Sequence, residues 1–271
     1  GIEEKRSDVK IKHQLPEHLL HYFLSPVYPR TEADLFEKNE PQTSGICYLT
    51  DQYTLSTANR SSLWNQRRPF LAYWGSVQLP KYLQVRFLHD DYDFSAASYF
   101  SQQKENKVLA AINFISNGGD KHISIDRLKD GKFSAKDLRL RFEFGNVTNQ
   151  AELKIPTSPN EPFSFGIDQL NFNFQLYSAE FEGLKGHWEK GGDGKNSWID
   201  FIFYSGAEKE FDLTKINRAV SGFIFELNTA DQKQQIKKAE VSEKDGIMKM
   251  EWNGLKLETP VKPQAPKNNF I

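Results

Sequence analysis

The sequence predicts an all-β protein, a large antiparallel two-sheet sandwich of the supersandwich kind behind a short mixed N-terminal extension. Three observations carry this. From Ile46 onward, short runs of aromatic and β-branched residues recur; Gly, Asn, Asp and Ser break them; and no regular helical pattern comes between them. About fifteen such runs, from ICYLT to LKLETP, are too many for a small barrel.

Residues 1–45 read as an extension or linker. Pro16, Pro26, Pro29 and Pro41 interrupt any long element, and only PEHLLHYFL offers a helical turn or two, begun by Pro16. The sandwich is expected over 46–259. Alternation is clearest in LRLRFEF and in LNFNFQLYSAEF, where Phe172, Phe174 and Leu176 face one way and Asn171, Asn173 and Gln175 the other. FDLTKI reads as a strand of its own. Hairpin turns are expected at Asn117-Gly118-Gly119-Asp120, Lys129-Asp130-Gly131-Lys132, Gly191-Gly192-Asp193-Gly194, Lys244-Asp245-Gly246 and Asn253-Gly254. Residues 260–271, with Pro260, Pro263 and Pro266, read as a flexible tail.

The 21 phenylalanines among 38% hydrophobic residues predict a core built from aromatic side chains. Thirty-five basic residues stand against 36 acidic ones, so no excess of positive charge is available to grip a polyphosphate, and nucleic acid is not an expected partner. No apolar run approaches the roughly 18 residues that cross a bilayer, so no membrane insertion is expected. Cys47 is the sole cysteine, which excludes an internal disulfide framework and every multi-cysteine metal site. No HExxH pair, GxSxG elbow or P-loop occurs, and no cofactor is expected. His13, His18, His21, His122 and His187 form no recognisable ligand set.

Two clusters stand out as candidate sites. The first runs from Arg60 to Gly75 and offers Trp64, Asn65, Arg67, Arg68, Tyr73 and Trp74 as ligand-binding residues. Guanidinium groups pair with carboxylates in bidentate fashion, amides read hydroxyls, and indole faces stack on sugar C–H faces, so the mixture suits an acidic glycan. The same residues also suit packing and pairing within the fold. The second is His89-Asp90-Asp91-Tyr92-Asp93 at a strand end. His89 and Tyr92 could act as base and acid in β-elimination from a uronic acid, and Asp90, Asp91 and Asp93 could hold calcium. Acidic residues at strand ends also commonly solvate a turn.

The stretch TSGICYLTDQYTLSTANRSSLWNQRRPFLAYWG, residues 43–75, resembles the β-sandwich region of heparinase II/III-like and related toroid-plus-sandwich polysaccharide-degrading enzymes. The matching residues are Tyr48, Leu49, Thr50, Tyr53 and Leu55. The resemblance implies a sandwich that follows a helical α/α toroid, with the catalytic residues of the enzyme largely on that toroid or in the cleft between the two parts. On that basis the chain is either a stand-alone sandwich or the C-terminal half of a longer enzyme, with PEHLLHYFL as the exit from an upstream helical domain.

Three functions remain open on these residues. One is the β-sandwich domain of a carbohydrate-active protein, helping to bind a polysaccharide or oligosaccharide. Another is a self-sufficient carbohydrate-binding or cell-surface adhesion module, with Trp188, Trp198 or Trp252 as sugar platforms. The last is a small lyase or glycoside hydrolase working through His89 and Tyr92. Each leads to an expected location that is secreted, periplasmic or on the cell surface.

Overall fold

The computed structural model describes residues 27–35, 43–63, 67–116, 131–231 and 236–265. Over these residues the chain forms three antiparallel sheets, with strands numbered in chain order. The first runs β1 (Arg30–Leu35), β2 (Ser44–Leu49), β3 (Tyr53–Asn59), β5 (Phe70–Gly75), β6 (Pro80–His89), β10 (Lys132–Gly145), β14 (Ser197–Asp212) and β13 (His187–Gly192), with the short β7 (Tyr92–Asp93) pairing with β6. The second runs β11 (Phe163–Ile167), β12 (Leu170–Phe181), β15 (Ala219–Thr229), β9 (Lys107–Phe114), β8 (Ala97–Lys104) and β4 (Ser61–Ser62). The third is the meander β16 (Glu240–Lys244), β17 (Ile247–Trp252) and β18 (Leu255–Pro260).

Alternation along the strands builds the core. Leu138, Leu140, Phe142 and Phe144 on β10 all point inward, as do Phe172, Phe174 and Leu176 on β12, and both sets join one buried cluster between the first two sheets. Phenylalanine rings interlock across the gap, edge-on between Phe142 and Phe174 at 5.2 Å and between Phe70 and Phe225 at 5.1 Å. The all-β sandwich expected from the sequence is the fold observed.

Two sheets are not the whole architecture. The third sheet covers the outer face of the second, where Met248, Met250, Trp252, Leu255 and Leu257 pack on Leu109, Ala111, Val220 and Ile224. Strands β9 and β15 are therefore apolar on both faces, which is why KVLAAINF and AVSGFIFEL read as continuous rather than alternating runs. Gly222 on β15 lets the layers close up, since an added β-carbon would collide with Met250.

Several boundaries differ from the sequence reading. Strand β1 pairs with β2 along its full length, so the first sheet begins at Arg30, inside the segment read as an extension. Beyond Pro260 the chain stays anchored: Val261 is buried, and Gln264 N–H donates to Phe114 O at 2.9 Å. FDLTKI is not a separate strand. Its first two residues end β14, and Lys215 and Ile216 donate back to Asp212 O to close a turn. Gly191 and Gly192 belong to β13, with the turn beginning only at Asp193. The Asp245-Gly246 and Asn253-Gly254 turns occur as expected, both with positive φ, as type I′ hairpins require. Asn117–Asp120, Lys129, Asp130 and PEHLLHYFL lie outside the described residues.

Candidate functional site

The two large sheets differ in what lies on their outer faces. The second is covered by the third sheet, whereas among the described residues no strand packs over the outer face of the first. On β5, β6, β10 and β14, every residue that does not point into the core points onto that face. Register sets them in rows: Tyr73 beside Tyr82 and Gly145; Leu71 beside Gln84, Glu143, Trp198 and Gly191; Arg86 beside Arg141, Asp200 and Glu189.

These residues form a polar ladder that the core does not need. Gln84 Nε2 donates to Glu143 Oε1 at 2.7 Å, and Arg86 spans Glu143 Oε2 at 3.0 Å and Asp93 Oδ1 at 2.8 Å. Asp200 accepts from Arg139 Nη1 at 2.8 Å and from Arg141 Nε and Nη2 at 2.9 and 2.8 Å, while Arg139 also pairs with Asp137. Gln84, Glu143, Arg141 and Asp200 are all buried. Charges shielded from water this far remain only because each is paired. Burial works against the Arg86 charge, but the bonds from Asp93 and Glu143 outweigh it and raise its pKa; on Arg139 the Asp137 bond dominates and does the same.

Aromatic rings flank the ladder. Tyr73, 38% exposed, meets Tyr82 edge-on at 6.2 Å, and the Arg68 guanidinium lies 5.7 Å over the Tyr82 ring. Burial and the neighbouring Glu143 charge raise the Tyr82 phenol pKa. Two glycines make room for flat side chains. A β-carbon on Gly145 would overlap the Tyr82 ring, and one on Gly191 would stand 2.6 Å from Trp198 Nε1. Arg141 then covers Trp198 at 4.1 Å.

The face continues toward the β1 edge. A cavity of about 490 Å³ is lined by Glu32 and Asp34 of β1, Gly45 and Cys47 of β2, Ser56 of β3, and Arg68. That volume falls among small-molecule sites, roughly 300–1,000 Å³. Arg68 borders both the cavity and Tyr82, so cavity and ladder form one continuous strip.

No family model and no curated protein matches this chain. One solved structure, described as "Putative kojibiose phosphorylase from human microbiome", aligns with 75% of the chain and with 26% of its own length. The identity is 9% and the TM-score 0.23, and the likeness carries no argument about activity. No helix among the described residues is long and apolar enough to cross a membrane.

The sequence-expected residues divide between the two faces. Arg68 and Tyr73 come together on the outer face, whereas Trp74 points inward, packs on Phe172 at 5.1 Å and donates its Nε1–H to Asp168 at 2.9 Å. Alternation separates neighbours that the sequence presents as one cluster. Arg67 is exposed, with Nη1 3.3 Å from Ser62 Oγ; Trp64 and Asn65 lie outside the described residues. Trp188 and Trp252 are buried and donate to Pro159 O and Lys237 O, so neither is a sugar platform.

His89 and Tyr92 are register partners across the Asp90-Asp91 turn, but no hydrogen bond joins them into an acid–base pair. His89 is buried, its Nε2 sits 2.7 Å from Ser134 O, and its ring meets Phe94 and Phe133 edge-on, while Tyr92 is 61% exposed. The imidazole packs at the end of the sheet, with Nε2 also 3.5 Å from Asp90 Oδ2. The aspartates likewise serve the chain. Asp90 Oδ1 accepts from the Lys136 and Asp137 amides at 2.8 Å, Asp90 and Asp91 take positive φ in the hairpin turn, and Asp93 pairs with Arg86. Among the described residues no group of three or more potential ligands could hold a metal ion.

Tyr48, Leu49, Thr50, Tyr53 and Leu55 build the β2–β3 hairpin. Tyr48 and Leu55 are register partners, and Thr50 Oγ1 accepts from Tyr53 N–H at 2.9 Å while Tyr53 OH reaches Leu227 O at 3.0 Å. Their role is architectural. Sequence reasoning missed Tyr82, Gln84, Arg86, Glu143, Arg139, Arg141 and Asp200. The available signal was the polar set of each alternating strand, since LQVRF and LRLRFEF place Gln and Arg at every second position where a plain solvent face would carry Lys, Thr or Ser.

Proposed function

We propose that this chain is the β-sandwich domain of a carbohydrate-active protein and binds a polysaccharide or oligosaccharide along the outer face of the nine-stranded sheet. The observation that carries the reading is the buried guanidinium, carboxylate and amide ladder on that face, bordered by Tyr73 and Tyr82 and continuous with the Arg68 cavity. Sugars are recognised by fixed polar groups that match hydroxyls and by aromatic faces that take C–H surfaces. The ladder supplies both on a rigid sheet, with its side chains already locked.

In this reading the chain contributes binding, and any bond cleavage belongs to an upstream helical domain of the kind the β2–β3 resemblance implies. The protein then works where polysaccharide is met outside the cytoplasm, as a secreted, periplasmic or cell-surface component. A glycan array probed with the full chain tests the reading. Binding to at least one glycan, weakened by Tyr73→Ala, is expected. An array with no bound glycan, against a folded protein, contradicts it.

A further inference from the structure

We infer that the glycan recognised by this face is uncharged and that its ring surface is Tyr73, backed by Tyr82. This rests on the carbohydrate reading above and names its substrate class. The positive charge of the ladder is already spent. Arg86, Arg139 and Arg141 are answered by four carboxylates, Asp93, Asp137, Glu143 and Asp200. A uronate or sulfate would have to displace one of them from a charge-assisted bond of 2.8–3.0 Å and would then lie beside those that remain. The cavity at the other end of the strip adds Glu32 and Asp34. Over the strip as a whole, the six carboxylates of Asp93, Asp137, Glu143, Asp200, Glu32 and Asp34 outnumber the five guanidinium groups of Arg86, Arg139, Arg141, Arg68 and Arg30, the last paired with Glu32, so an anionic polymer finds no net positive charge to bind.

Hydroxyl groups meet no such barrier. Each is both donor and acceptor, so it joins a carboxylate and guanidinium lattice without breaking a pair. The stacking surface follows by elimination. Arg141 covers one face of the Trp198 indole at 4.1 Å and Gly191 crowds its Nε1 side, so the half-buried Trp198 is less open than Tyr73. Tyr73 is exposed and touches its neighbour only edge-on.

The test is retention of the full chain on gels containing neutral polymers (cellulose derivatives, xylan, mannan, α-glucan), polyuronates (polygalacturonate, alginate) or heparin, each at low and high salt. Retention by a neutral polymer, indifferent to salt and weakened about three- to tenfold by Tyr73→Ala but not by Lys249→Ala on the third sheet, is expected. Retention only by acidic polymers, abolished by salt, overturns the charge class and leaves the carbohydrate reading standing. Neutral binding untouched by Tyr73→Ala overturns the stacking assignment. No retention on any polymer overturns both this inference and the reading beneath it.

Discussion

Tyr82 lays its ring across Gly145, its register partner on the next strand, in space that a β-carbon would occupy. The relationship fixes a phenol beside Glu143 and under Arg68, and it ties two strand positions of no evident value to the core into one surface feature. Gly145→Ala is therefore expected to push Tyr82 out of the ladder. Glycan affinity should fall about tenfold, with a stability cost of about 1–3 kcal/mol from overpacking. Titration beside urea denaturation separates the two effects, and a variant with intact affinity would detach Tyr82 from the site.

Asp200 is expected to be the most costly single loss on this face. It is 1% exposed and holds both Arg139 and Arg141. Asp200→Ala strands the Arg141 guanidinium in a shielded position and leaves Arg139 with Asp137 alone, and should cost about 3–5 kcal/mol. Equilibrium urea unfolding reads this directly. A cost below about 1 kcal/mol would mean that water reaches the pair freely.

Asp168 clamps one end of the sandwich. From the β11–β12 turn it accepts from Trp74 Nε1 and from Lys81 Nζ at 2.8 Å, joining the second sheet to the first. Burial works to raise its pKa, but the bonds from Lys81 and Trp74 and the Lys81 charge outweigh it and hold the carboxyl below the ordinary value. A lowered folded pKa gives stability that is full above the unfolded value of about 3.9 and is lost as pH falls through the folded one. Asp168→Ala leaves the buried Trp74 donor unpaired and should cost about 1–3 kcal/mol at neutral pH. Asp168→Asn should cost less, and its deficit against wild type should shrink in acid. A deficit that grows on acidification would contradict the clamp.

Gly222→Ala probes the third layer. The new methyl would strike Met250, so the meander must shift and about 1–3 kcal/mol should be lost. Hydrogen exchange should show faster opening at Met248 and Met250 than at inner-face residues such as Phe223. Uniform acceleration across all three sheets would mean that the meander does not open separately.

The sandwich was legible because its signal is local. LNFNFQL alternates, and Asp245-Gly246 and Asn253-Gly254 name their turns. β13 was not, because HWEKGG places two glycines where a turn is expected, and only the Trp198 ring lying across the sheet explains Gly191. The third layer left a trace in the unbroken apolar run of β15, but a run cannot say what covers it. The site was legible in part. Arg68 and Tyr73 stand in a dense cluster, whereas Glu143, Arg86 and Asp200 come together only through pairing among β6, β10 and β14, across more than fifty residues of chain. His89 misled because composition does not tell a ring facing Phe94 and Phe133 from one facing solvent.

The proposal puts a glycan on the outer face of the nine-stranded sheet. Amide chemical-shift mapping tests it most directly, using the full chain and a soluble oligosaccharide cut from whichever polymer is retained. Shifts are expected to centre on Tyr73, Tyr82, Gln84 and Glu143 and to fade toward the third sheet. Shifts confined to β16–β18, or to the end of the sandwich around Lys81 and Asp168, would contradict it.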